Sequence, residues 1–245
     1  MFSQKEIKII LVCFLFLLSC AGPGLEISEK KVPISITSNN DPEVIWEPKP
    51  RPVAKGNDGQ LLVRTSESMK LLYAAHNNKG KQNLFMAKTK NIGDSFSNSI
   101  SVNSEKDEVS AHGENGPKLK QGKGRGIFAA WVGKRDIKFA RSMNFGKSFG
   151  PALRVNDDKG KASQSFFSME VAPDGKIFTA WLDGRDKKSG KPGTSSFYIA
   201  RSVNQGKSFE KNIKVSGDVC PCCRAALAFG DNGEIFASWR HVYAD

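Results

Sequence analysis

Short apolar runs recur along this chain at nearly even spacing, and polar turn residues bound each of them. Leu72-Tyr73-Ala74-Ala75-His76, Ile127-Phe128-Ala129-Ala130-Trp131, Ile177-Phe178-Thr179-Ala180-Trp181 and Ile235-Phe236-Ala237-Ser238-Trp239 form one series. Their last positions lie 55, 50 and 58 residues apart, counted at 76, 131, 181 and 239. Each run is too short for a helix and rich in β-branched and aromatic residues, so it reads as a buried strand. Turn signals precede the runs: Asn57-Asp58-Gly59, Gly122-Lys123-Gly124, Pro173-Asp174-Gly175 and Asp231-Asn232-Gly233. Such residues tolerate positive φ and suit tight hairpins. Another apolar run lies before the turn, as in Ser168–Ala172 and Ala225–Phe229. A third follows, as in Ile137–Arg141 and Phe197–Arg201, and a fourth in Ala152–Val155 and Ile213–Val215. Four antiparallel strands per unit, repeated at this period, predict an all-β chain folded as a β-propeller of four-stranded antiparallel blades. The predicted repeats span about 57–104, 114–158, 163–218 and an incomplete 219–245.

Between the third and fourth strands one phrase occurs three times: Thr89–Phe96, Ser142–Phe149 and Ser202–Phe209. It resembles the Asp-box of the bacterial neuraminidase repeat, S-x-D-x-G-x-[ST]-[WF], with Asn91, Asn144 and Asn204 at the Asp position. An amide can bond the turn's backbone as a carboxylate does. Gly93, Gly146 and Gly206 supply positive φ, and Phe96, Phe149 and Phe209 anchor the hairpin. The resemblance covers roughly residues 57–245 and implies a sialidase-like propeller, six-bladed when complete, in which this box is structural. About three and a half blades are expected here, and six would need roughly 330 residues at this spacing. The sequence reads either as part of a longer propeller or as four blades, the last completed by residues 25–59.

The N-terminus changes the picture from a generic propeller to an exported one. Lys5 opens it, an apolar run follows from Ile9 to Leu18, and Leu17-Leu18-Ser19-Cys20 closes it. The run is too short to span a bilayer comfortably and fits a signal peptide, residues 1–19. The closing tetrad resembles the bacterial lipobox, which implies diacylation (palmitate or a similar chain) of Cys20 and a lipid anchor in the cell envelope. Residues 20–56, with several Pro, Lys and Ser, then read as a tether. Removing the signal takes away Lys5, Lys8 and Glu6, so the formal charge falls from +12 to +11. The basic residues are spread through every repeat, which favours an anionic glycan or headgroup as partner over nucleic acid.

Chemistry is expected where inner strands begin, at one mouth of the propeller. His112-Gly113-Glu114-Asn115 and Val219-Cys220-Pro221-Cys222-Cys223-Arg224 both fall there. With Cys13 in the signal and Cys20 lipidated, Cys220, Cys222 and Cys223 remain. A disulfide within this set closes a very small, strained ring, and three thiols could instead hold copper or zinc, with His112 or Glu114 adding a ligand. Arg135, Asp183 with Arg185, and Arg240 follow the tryptophans of the repeats. They are candidates for gripping a carboxylate, since a guanidinium fork matches it, or for bracing the loops. The resemblance implies that a working sialidase also carries an arginine in an Arg-Ile-Pro context, an acid/base Asp and a Tyr nucleophile. Arg64 sits in Val63-Arg64-Thr65, and the tyrosines are Tyr73, Tyr198 and Tyr243 alone, so catalytic residues stay unassigned. Three readings remain: a lipid-anchored glycan or anionic-ligand binding module, an exo-sialidase-type hydrolase with its catalytic part beyond Asp245, and a periplasmic copper or zinc protein.

Overall fold

The computed structural model describes residues 58–64, 69–76, 81–90, 95–104, 106–111, 113–187, 194–230 and 233–243. The signal, the tether, Cys20, Asn91, Gly93 and His112 lie outside them. The described residues are all-β. The first sheet runs β1 (Asp58–Arg64), β2 (Met69–His76), β3 (Gln82–Thr89) and β4 (Ile100–Ser101) in spatial order. The second runs β5 (Lys118–Gln121), β6 (Ile127–Gly133), β7 (Asp136–Ser142) and β8 (Leu153–Arg154). The third runs β9 (Gln164–Val171), β10 (Ile177–Asp183), β11 (Ser195–Ser202) and β12 (Ile213–Val219). A hairpin of β13 (Ala226–Phe229) and β14 (Ile235–Ser238) follows. Each pairing is antiparallel and joins neighbours in sequence, which is the up-and-down order of a propeller blade.

The second strand of each sheet is the recurrent apolar run, and the reason for its continuous hydrophobicity is now visible. β6 is buried at every position, because neighbouring sheets cover both of its faces. The cores lie between sheets rather than within them. Leu72, Leu84 and Met86 of the first sheet meet Leu119, Ile127 and Trp131 of the second. Phe128, Ile137 and Phe139 of the second meet Phe167, Ile177 and Trp181 of the third. Leu182 and Phe197 meet Leu227 and Ile235 of the hairpin. Burying a side chain of this size contributes roughly 1.5–3 kcal/mol, so each interface holds a blade in place.

The repeated box is a turn that clamps onto the preceding blade. Ser148 N–H donates to Asn144 Oδ1 at 3.0 Å, and Ser208 N–H donates to Asn204 Oδ1 at 3.0 Å. Asn144 Nδ2 and Asn204 Nδ2 donate to the Oγ of Ser148 and Ser208, each at 2.8 Å. Gly146 and Gly206 have φ of 75° and 74°, and the residues before them, Phe145 and Gln205, also adopt positive φ at 60° and 57°. A Cβ on Gly206 would overlap the ring of Phe139, one blade back, and one on Gly146 would overlap Met86. Phe209 packs edge-on against Phe139 with centroids 5.1 Å apart. Phe149 packs on the core between the first two sheets, while the half-buried Phe96 carries the first copy. Glycine and phenylalanine of the second and third boxes thus register one blade against its predecessor.

Candidate functional site at the inner-strand mouth

The first strands β1, β5, β9 and β13 contact one another in that order and line the inner side of the assembly. Their starting ends make one mouth. At β5 the alternation Lys118-Leu119-Lys120 turns Leu119 fully into the core and leaves both lysines half-buried on the opposite face. Lys118 Nζ donates to the Gly116 carbonyl at 2.9 Å and sits 5.3 Å from the centre of the Phe167 ring. Lys120 pairs with Glu170 of β9 at 2.7 Å. Burial, with repulsion from Arg224 and Lys120, drops the Lys118 ammonium to about 8, against a smaller opposing pull from Glu114. Arg224, from the cysteine segment, and Glu114, from the Gly113–Asn115 turn, are thus near enough for their charges to act on this lysine. Asn115 is buried and fixes this turn to β9 by accepting from Phe166 N–H at 2.6 Å.

The cysteine segment forms the other wall. Cys220 Sγ lies 3.3 Å from Cys222 Sγ and 3.1 Å from Cys223 Sγ, and all three are free thiols that could hold a metal ion. Arg240 donates to Cys223 Sγ at 3.6 Å, so the structure brings this predicted arginine to the predicted thiols. Burial opposes ionisation of Cys220, but hydrogen bonds from Cys223 and Cys222 and the field of Arg240 outweigh it and lower its pKa. Bonding to Cys220 and Cys223 pushes Cys222 up to about 11.

The remaining candidates occupy bracing positions. Asp183 is fully buried; it accepts from Trp181 Nε1 at 2.7 Å and from Arg185 N–H at 2.8 Å. Arg185 pairs with Asp183 at 2.8 Å and with Asp157 of the loop between the second and third sheets, and it lies 4.2 Å over the Tyr198 ring. Burial alone would lower its pKa, yet the bonds and charges of Asp183 and Asp157 raise it. Arg135 is exposed and donates from Nε to Ser163 Oγ at 3.1 Å. Among the described residues, no hydrogen bond or ion pair links Arg135, Arg185 and Arg240 to one another. Glu114 is exposed at the mouth.

Sequence reasoning missed Lys118, Lys120 and Glu170 at this site, and it placed Arg224 at the mouth within the cysteine segment without giving its charge a role. The charge–apolar–charge alternation at 118–120 was the available signal, since it marks a strand with one polar face. It also missed Asn103 and Asn156, which follow Val102 and Val155 at matching places in two repeats. Their side-chain oxygens accept from Leu84 N–H at 2.7 Å and Ile137 N–H at 2.9 Å, capping the third strands.

No family model and no curated protein matches the sequence. Solved structures do match. An α-L-arabinanase of Penicillium chrysogenum, complexed with arabinobiose, superposes with a TM-score of 0.53 and 11% identity, over 74% of this chain and 58% of that one. An ulvan lyase, a polysaccharide lyase bound to -[GlcA(1-4)Rha3S]-, gives 0.50 and 14% over 74% and 51%. The NanB sialidase of Streptococcus pneumoniae gives 0.46 and 12% over 74% and 28%. The chain therefore spans little more than half of the first two structures. With the sheet order above, the likenesses to the arabinanase and the ulvan lyase define an all-β protein built as a β-propeller. More particularly, it shares the propeller fold of the arabinanase and the ulvan lyase.

Proposed function

We propose that this chain is a lipid-anchored cell-envelope module that binds an acidic carbohydrate at the inner-strand mouth. The observation that carries the reading is the polar face of β5, where Lys118 and Lys120 stand half-buried and Arg224 of the cysteine segment is near enough for its charge to act on Lys118. A sugar that bears carboxylate or sulfate offers an anion to these cations. Lys120 is paired with Glu170 and Glu114 acts on Lys118, so the three cations outnumber the two carboxylates and leave the mouth a cationic excess. The ligands bound by the structural neighbours, arabinobiose and the GlcA-containing saccharide, support carbohydrate as the ligand class. The envelope assignment rests on Leu17-Leu18-Ser19-Cys20, with Cys20 as the lipidated residue. No helix among the described residues is long and apolar enough to cross a membrane.

Calorimetric titration with uronic-acid or sulfated oligosaccharides, against neutral ones of equal length, tests the reading. Preference for the acidic sugars, with a loss of about tenfold or more in Lys118→Ala and Arg224→Ala, is expected from removing one charge-assisted contact. Equal binding of neutral sugars, or unchanged affinity in both variants, would sink it. Palmitate labelling of the expressed full chain, absent in Cys20→Ala, is the matching check on the anchor.

A further inference from the structure

The glycan reading leaves three cysteines unused, and they form a site of their own. The backbone presenting them is fixed from the side. Cys220 N–H donates to the Arg240 carbonyl at 2.9 Å, Val242 N–H donates to the Asp218 carbonyl at 2.8 Å, and Val219 bridges His241. Pro221 sets φ in the turn between the first two thiols. Cys220 is buried at the base, with Cys223 half-buried and Cys222 exposed at the rim. All three sulfurs lie within 4.8 Å of one another.

We propose that Cys220, Cys222 and Cys223 bind one cuprous ion as a three-coordinate thiolate site, with Arg240 offsetting its negative charge. Thiolates are soft donors and select soft cations such as Cu(I). Metal–sulfur bonds of about 2.3 Å place trigonal sulfurs roughly 4 Å apart. The 3.1 and 3.3 Å spacings must open by less than about 1 Å, which side-chain rotation supplies. Among the described residues the group holds these three donors and no histidine or carboxylate. Zinc in a closed site takes four ligands, whereas a closed-shell monovalent ion is content with three. Three thiolates around one positive ion leave a net negative charge, and the Arg240 guanidinium already stands at Cys223 Sγ. Binding releases the thiol protons to solvent and needs no redox step, because the metal enters as Cu(I).

The test uses the full chain, purified anaerobically with reductant and titrated with Cu(I) against a chromogenic Cu(I) chelator. X-ray absorption at the copper edge then counts the sulfur neighbours. One copper per chain with three sulfurs, and proton release on binding, is the expected result. Cys222→Ser, at an exposed position, should weaken affinity by more than about 100-fold, beyond the 10–100-fold that outer-shell changes cost. Arg240→Ala should weaken it by about tenfold. Circular dichroism verifies that both variants fold. No uptake by the reduced protein, or equal uptake by a Cys222→Ser/Cys223→Ser double variant, overturns the site. Zinc held in a four-coordinate complex that Cu(I) does not displace overturns the cuprous assignment.

Discussion

Asn144 and Asn204 show why an amide serves where the Asp-box phrase has a carboxylate. The bonds that hold the turn run to a side-chain oxygen, from Ser148 N–H and Ser208 N–H, and either side chain offers one. The amide nitrogen adds a donor toward the serine hydroxyl, which a carboxylate replaces by accepting from that hydroxyl instead. Asn204→Asp is therefore expected to change stability by less than about 0.5 kcal/mol, while Asn204→Ala costs about 1–2 kcal/mol by leaving the turn unbonded. Urea midpoints of the two variants decide it; equal losses would show that the oxygen is not what holds the turn. The box was legible in the sequence because its residues are local to one turn. The positive φ of Phe145 and Gln205 was not, since nothing about those residue types demands it.

Between elements, the ion network of Arg185 carries more than its residues suggest in isolation. Asp183 sits fully buried under Trp181, Asp157 comes from the loop that links the second sheet to the third, and Arg185 spans them over Tyr198. Removing one partner of a buried pair leaves the other charge uncompensated. Asp183→Ala is expected to cost about 3–5 kcal/mol, and thermal unfolding reads it directly. A loss under 1 kcal/mol, the value of an exposed pair, would refute the brace. The blade junction also sets an acid limit. Burial raises Asp157, Asp158 and Asp186, but it is outweighed: by Asn212 N–H and Arg185 for the first, Asn156 for the second and Lys214 for the third. All three folded carboxyls titrate below the unfolded value of about 3.9. Their contribution is thus complete above about pH 4 and is lost as pH falls through the folded values. The denaturant midpoint should hold from pH 7 to 5 and drop at pH 3; a midpoint that rises on acidification contradicts the assignment. The sequence offered Trp-x-Asp-x-Arg as either a ligand grip or a brace. The partner that distinguishes them, Asp157, lies 28 residues before Arg185 in the chain, in the loop that enters this blade from the one before.

For the whole molecule, the radial order of inner strands decides where charge gathers. Lys118 keeps its proton below about pH 8, so binding of an acidic saccharide should weaken as pH rises through that value. The same affinity should fall with added salt, because screening lengths shorten to about 8 Å at physiological ionic strength. Binding that is flat from pH 6 to 9 and indifferent to salt would place the ligand elsewhere. By itself, the sequence determined the strands, their four-fold grouping and the box turns. Each of these depends on hydrophobic period, turn residues and repetition over a few neighbouring positions. Only the tertiary structure decided that glycine and phenylalanine of one box seat on the previous blade, that Arg185 is spent on Asp157 and Asp183, and that Lys120 pairs with Glu170 of the next inner strand. Those contacts join residues dozens of positions apart, and their strength depends on burial and distance, which packing around a common axis sets.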